Sequence, residues 1–144
     1  MLALTGVSCK EEPALEIYAD DVSQLNGFPK GLPEVASDIQ YVCFAGGLQY
    51  MEEFVIFNFK EESEISVWVN KLIETGAKME KITENAEMCL ASPSSNASLS
   101  ESWKKQWQPH AITKGYLLNC STFDVSHYIY IDLLNFKCYI YILH

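Results

Sequence analysis

Two periodicities divide this chain. In Asp38–Phe44, Ile39, Tyr41 and Cys43 alternate with Gln40, Val42 and Phe44, the period of two that belongs to a β-strand. In the following run, Val55, Phe57 and Phe59 share one face, and Phe54, Ile56 and Asn58 share the other. Both faces are largely apolar, which predicts a central strand covered on both sides. Gly46-Gly47 between the two runs is a hairpin turn signal. After residue 60 the period changes. Ile65, Trp68, Val69, Leu72 and Ile73 fall at i, i+3, i+4, i+7 and i+8, a single stripe that predicts a helix over about 62–75. Glu61, Glu62 and Glu64 stand at its electropositive N-terminal end, and Gly76 stands where a helix-terminating glycine belongs.

The alternation returns near the C-terminus. Gly115–Cys120 reads as one strand, and Ser126–Asp132 and Phe136–Leu143 read as a hairpin around Leu133, Leu134 and Asn135. Ile129, Ile131, Cys138, Ile140 and Ile142 fall on one face and are expected beneath the helix. Tyr128, Tyr130, Tyr139 and Tyr141 fall on the other. Near the start, Leu15–Ala19 reads equally as a strand or a short helix. Two glycines and two prolines make 27–33 a loop, and the Ser-rich stretch 91–100 is a second one. Ser100 can cap a short helical turn holding Trp103 and Trp107, which Pro109 ends. No internal repeat is visible. The expected fold is α+β: an antiparallel sheet of about five strands with one main amphipathic helix packed on one face. Residues 15–144 are expected to form one domain, preceded by a separate segment, residues 1–14.

Composition adds exclusions. At 144 residues, with 49% hydrophobic and 20% charged residues, the chain has a globular composition and is long enough to fold without a metal or a disulfide. A formal net charge of −9 disfavours nucleic-acid binding and charge-driven attachment to anionic lipid. It suits a basic partner. No stretch approaches the roughly 18 apolar residues that a membrane-spanning helix needs. The five cysteines include no CxxC pair and the three histidines are widely separated, so a zinc site has little support. Of these cysteines, Cys43, Cys89, Cys120 and Cys138 read as buried thiols acting as small hydrophobes, although four allow three disulfide pairings.

Candidate chemistry is sparse. His110 follows a proline in a loop and His127 opens a strand, neither within a recognisable catalytic motif. Glu52 and Glu53 are adjacent in a strand, where neighbours point to opposite faces, so they are not two arms of one acid–base pair. The acidic clusters Asp20-Asp21 and Glu61–Glu64 lack the spacing and glycine of a calcium loop. There is no phosphate-binding glycine motif. No catalytic residue, metal ligand or cofactor is assigned. The paired tyrosines Tyr128, Tyr130, Tyr139 and Tyr141 are the candidate binding surface, because tyrosine presents large area at small entropic cost.

Gly6, Val7, Ser8 and Cys9 follow a short apolar run and precede a polar segment containing Pro13. This resembles the end of a bacterial lipoprotein signal, in which a diacylglycerol is thioether-linked to the cysteine. A looser resemblance to small bacterial lipoproteins runs from residue 28 onward. It is carried by Leu32, Pro33 and Ala36, then Gly46-Gly47, Phe57 and Phe59, and finally Trp107 and the closing hairpin. The resemblance implies lipidation at Cys9, residues 1–14 as a signal remnant or lipid tether, attachment to the membrane through that lipid, and a cell-envelope location. It implies no reaction. The function expected is a lipid-anchored envelope protein with a binding-type domain that takes a protein partner. The alternative is a cytoplasmic acidic interaction protein, such as an immunity-type inhibitor of a basic toxin.

Overall fold

The computed structural model describes residues 15–18, 32–45, 51–83, 100–121 and 125–144. The elements, in chain order, are β1 (Leu15–Tyr18), β2 (Ser37–Ala45), β3 (Met51–Asn58), α1 (Glu62–Glu74), β4 (Lys78–Ile82), α2 (Glu101–Gln106), a 3-10 turn (Pro109–Ala111), β5 (Gly115–Ser121), β6 (Ser126–Asp132) and β7 (Lys137–Leu143). The fold is α+β. Its sheet has seven strands in the order β1-β2-β3-β7-β6-β5-β4, and every neighbouring pair is antiparallel. The count exceeds the five or so that alternation predicts. The additions are β1, whose sequence reads equally as strand or helix and which pairs with β2, and β4, whose first four residues are exposed and only Ile82 buried; an edge strand like β4 carries no apolar alternation to read.

Consecutive strands make hairpins at both ends of the chain, but β3 and β4 lie four neighbours apart and run the same way. The connection between them is therefore a crossover, and α1 is the element that makes it. The helix begins with a reciprocal capping box, in which Glu61 and Glu64 each accept from the other's backbone N–H. It ends where Gly76 takes φ +108° and its N–H donates to the Ile73 carbonyl at 2.9 Å. Ile65, Trp68, Val69 and Leu72 are buried, as the stripe predicts, while Ile73 lies at its margin and is 40% exposed. Trp68 packs edge-on against Phe57 and leans on Phe59, with ring centres 5.6 and 5.8 Å apart.

The sheet separates two cores. Beneath α1 lie Tyr41 and Cys43 of β2, Val55 and Phe57 of β3, and Ile129, Ile131, Cys138, Ile140 and Ile142 of the last hairpin. On the far face Val42, Phe54, Ile56, Leu117, Tyr130, Tyr139 and Tyr141 pack beneath Trp103, Trp107 and Ile112. The covering layer there is α2 and the 3-10 turn. Ser100 Oγ accepts from the Trp103 N–H at 3.1 Å and starts α2, and Pro109 begins the 3-10 turn that follows. Trp107 meets Phe54 and Tyr139 edge-on, at 5.0 and 5.5 Å between ring centres. The isoleucine and tyrosine faces thus fall where alternation puts them, and β3 is covered on both sides.

Candidate functional site

Three of the four tyrosines proposed as a binding surface are closed off. Tyr130, Tyr139 and Tyr141 are buried beneath Trp103 and Trp107, and Tyr128 is half-buried, stacked 6.0 Å from Tyr141. The physical reason is the amphipathic short helix: two tryptophans one turn apart need an apolar surface, and the tyrosine face supplies it. Tyr130, Tyr139 and Tyr141 therefore build a core layer with Tyr128 at its margin, not an open platform. Cys9 lies outside the described residues, as do Cys89 and the Gly46-Gly47 turn. Cys43, Cys120 and Cys138 are buried free thiols.

The polar chemistry gathers at one end of the α1 face. Across five strands, Cys43, Glu53, Ile142, His127 and Cys120 stand directly beside one another in one cross-strand row. Glu53 is only 2% exposed. Its Oε1 accepts a hydrogen bond of 2.5 Å from the Tyr41 hydroxyl, and its Oε2 is in contact with Nε2 of His144. His127 is fully enclosed, and its Nδ1–H donates to the Cys120 carbonyl at 2.9 Å. Burial is the chief force on this ring and holds its pKa below the usual histidine value; Glu53 pulls the other way and His144 adds to the lowering. Burial raises the Tyr41 hydroxyl far above the usual phenol range, helped by Glu53, and pushes the Cys43 thiol up to about 12. The His127 ring, the Tyr41 hydroxyl and the Cys43 thiol stay neutral at physiological pH, so Cys43 is no thiolate nucleophile.

On the opposite face, Glu52 is enclosed and accepts from the Tyr141 hydroxyl. The pleat separates the two adjacent carboxylates, as the sequence predicts, so they do not converge on one substrate atom. The burial of both follows from a signal already present in the chain. An acidic pair set inside a run that is apolar on both faces belongs to a doubly covered strand, and each carboxylate there needs an internal donor. His110 is exposed on the 3-10 turn. Asp132 closes the last hairpin, its carboxylate accepting from the Leu134 and Asn135 backbone N–H groups and from Asn135 Nδ2. Among the described residues no group of three or more His, Cys, Asp or Glu is placed to hold a metal ion.

An open cleft lies elsewhere among the described residues. The turn that precedes β2 stands against the outer flank of α1 and leaves a cleft of about 630 Å³. Leu32, Pro33 and Val35 line it from the turn, and Val67 and Trp68 line it from the helix. Val35 and Val67 are 41% and 56% exposed. Glu34, Glu64 and Glu74 are the acidic members of the lining and Lys71 is its basic member. None of the described helices is long and apolar enough to cross a membrane. Comparison with known proteins returns no matching family model, no matching curated protein and no matching solved structure.

Proposed function

We propose that this chain is a binding module, not an enzyme, held at the cell envelope by a lipid on Cys9, with the cleft between the 32–36 turn and α1 as its contact site for a protein partner. The observation that carries the binding reading is a contrast among the described residues. The acid–base side chains Glu53 and His127 are enclosed and committed to internal hydrogen bonds, while Val35 and Val67 are exposed in a concave site. Exposed aliphatic side chains in a cleft gain free energy when a partner covers them. The envelope location rests on the lipoprotein-like stretch Gly6-Val7-Ser8-Cys9 and the polar segment that follows it.

Mass spectrometry of the mature N-terminus, from protein expressed with the DNA upstream of Met1, tests the anchoring. The expected product carries a diacylglycerol on Cys9. An unmodified Cys9 overturns the lipid anchor and moves the module to the cytoplasm. There, the net charge of −9 and the acidic members of the cleft favour a second reading, an immunity-type inhibitor that neutralises a basic toxin.

A further inference from the structure

We infer that the occupant of the cleft is a basic segment of a partner protein: an apolar side chain bracketed by lysine or arginine. This rests on the binding reading above and adds the chemistry of the partner. Val67 and Trp68 form the helix side of the apolar centre and Val35 faces them from the turn. Glu64 and Glu74 stand to either side of that centre along α1. They are ten residues apart, about 15 Å along a helix axis. Glu34 adds a third carboxylate from the turn.

The carboxylates differ in how far they are already engaged. Glu64 is half-exposed and accepts from the backbone N–H groups of Lys60 and Glu61 at 3.0 and 3.4 Å. Glu34 and Glu74 are exposed and have no hydrogen-bond or ion-pair partner among the described residues. The single lining cation, Lys71, leaves the site with net negative charge, within a chain of net charge −9. An acidic or phosphate-bearing partner meets like charge here, as does an anionic lipid surface. A cationic segment meets complementary charge at the rim and buries its apolar residue at the centre. The 15 Å between Glu64 and Glu74 matches cations about four or five residues apart on an extended segment, or about ten apart on a helix.

The test pans a library of random peptides about 12 residues long, enough to span the cleft in either form, against the full chain. Affinities of the enriched peptides are then measured for the wild type, for Val67→Ser and for the double variant Glu34→Lys/Glu74→Lys. All three substituted positions are exposed, and circular dichroism checks each variant's fold. The expected peptides carry two or more lysines or arginines around an apolar residue. They lose about tenfold in affinity with the double variant and bind more weakly as salt rises. Neutral or acidic peptides that weaken with Val67→Ser but not with the double variant overturn the basic partner and leave the cleft as the binding site. Peptides indifferent to Val67→Ser, or no enrichment at all, overturn the cleft itself.

Discussion

Glu52 and Glu53 are consecutive in β3, yet their carboxylates serve opposite cores: Glu52 accepts from Tyr141 on the tryptophan face, and Glu53 accepts from Tyr41 on the α1 face. Each tyrosine hydroxyl is thus an internal donor that helps a carboxylate stay in a closed core, with His144 also in contact with Glu53. Tyr41→Phe leaves Glu53 short of a donor while changing almost no volume. The expected loss is about 1–3 kcal/mol in urea unfolding. Glu53→Gln in the same background should recover part of it, because a neutral amide is cheaper to bury than a carboxylate. Little or no loss in Tyr41→Phe would mean that the Tyr41–Glu53 bond contributes little, and equal losses in the single and double variants would mean that the unpaired carboxylate is not the source of the cost.

His127 gives the stability a pH dependence of defined sign. Its folded-state pKa is held below the ordinary value of 6.5, chiefly by burial. Between those two values the unfolded chain binds the extra proton, so stability rises with pH across that window and this contribution levels off above about pH 7. The groups that bear on the ring are Glu53, His144 and the Cys120 carbonyl. His127→Asn keeps an N–H at the reach of Nδ1 and does not titrate. Thermal melts between about pH 5 and pH 8 should show a shallower acid limb for this variant than for the wild type. Identical limbs would assign the acid sensitivity to other groups.

Two glycines make a paired test of backbone and space. A Cβ on Gly115 would stand 1.8 Å from the Ile131 carbonyl oxygen, where β5 passes β6, whereas one on Gly76 meets nothing within 4 Å. Gly115→Ala forces strands apart and should cost about 3 kcal/mol or more. Gly76→Ala bears only the strain of φ +108°, about 1–2 kcal/mol. Urea midpoints of the two variants give the ranking directly.

The three described thiols should be inert in the native chain. Burial raises the pKa of Cys43, Cys120 and Cys138 alike, with Glu53 adding to the rise at Cys43. At about pH 8 iodoacetamide should leave all three unmodified, and label them fully once urea unfolds the chain. Native-state labelling of Cys43 or Cys120 would show that the polar row opens to solvent.

Much of the layer structure was legible in the residues. The period of two in β2, β3, β6 and β7 and the period of 3.6 in α1 depend only on which side chains avoid water, and each is a local property. They determined the helix span, the doubly covered central strand and the division of Ile129, Ile131 and Ile140 from Tyr130, Tyr139 and Tyr141. Tertiary structure decided what covers each face. Trp103 and Trp107 belong to a helix too short to announce its partner, and only the return of the chain across the sheet sets them on the tyrosines and closes that surface. The polar row was equally out of reach: Cys43, Glu53, His127 and Cys120 span 85 positions of sequence and become neighbours through strand order and register. The cleft beside α1 joins Val35 to Val67 in the same way, because a cleft assembled from distant segments depends on pairings that no local pattern encodes.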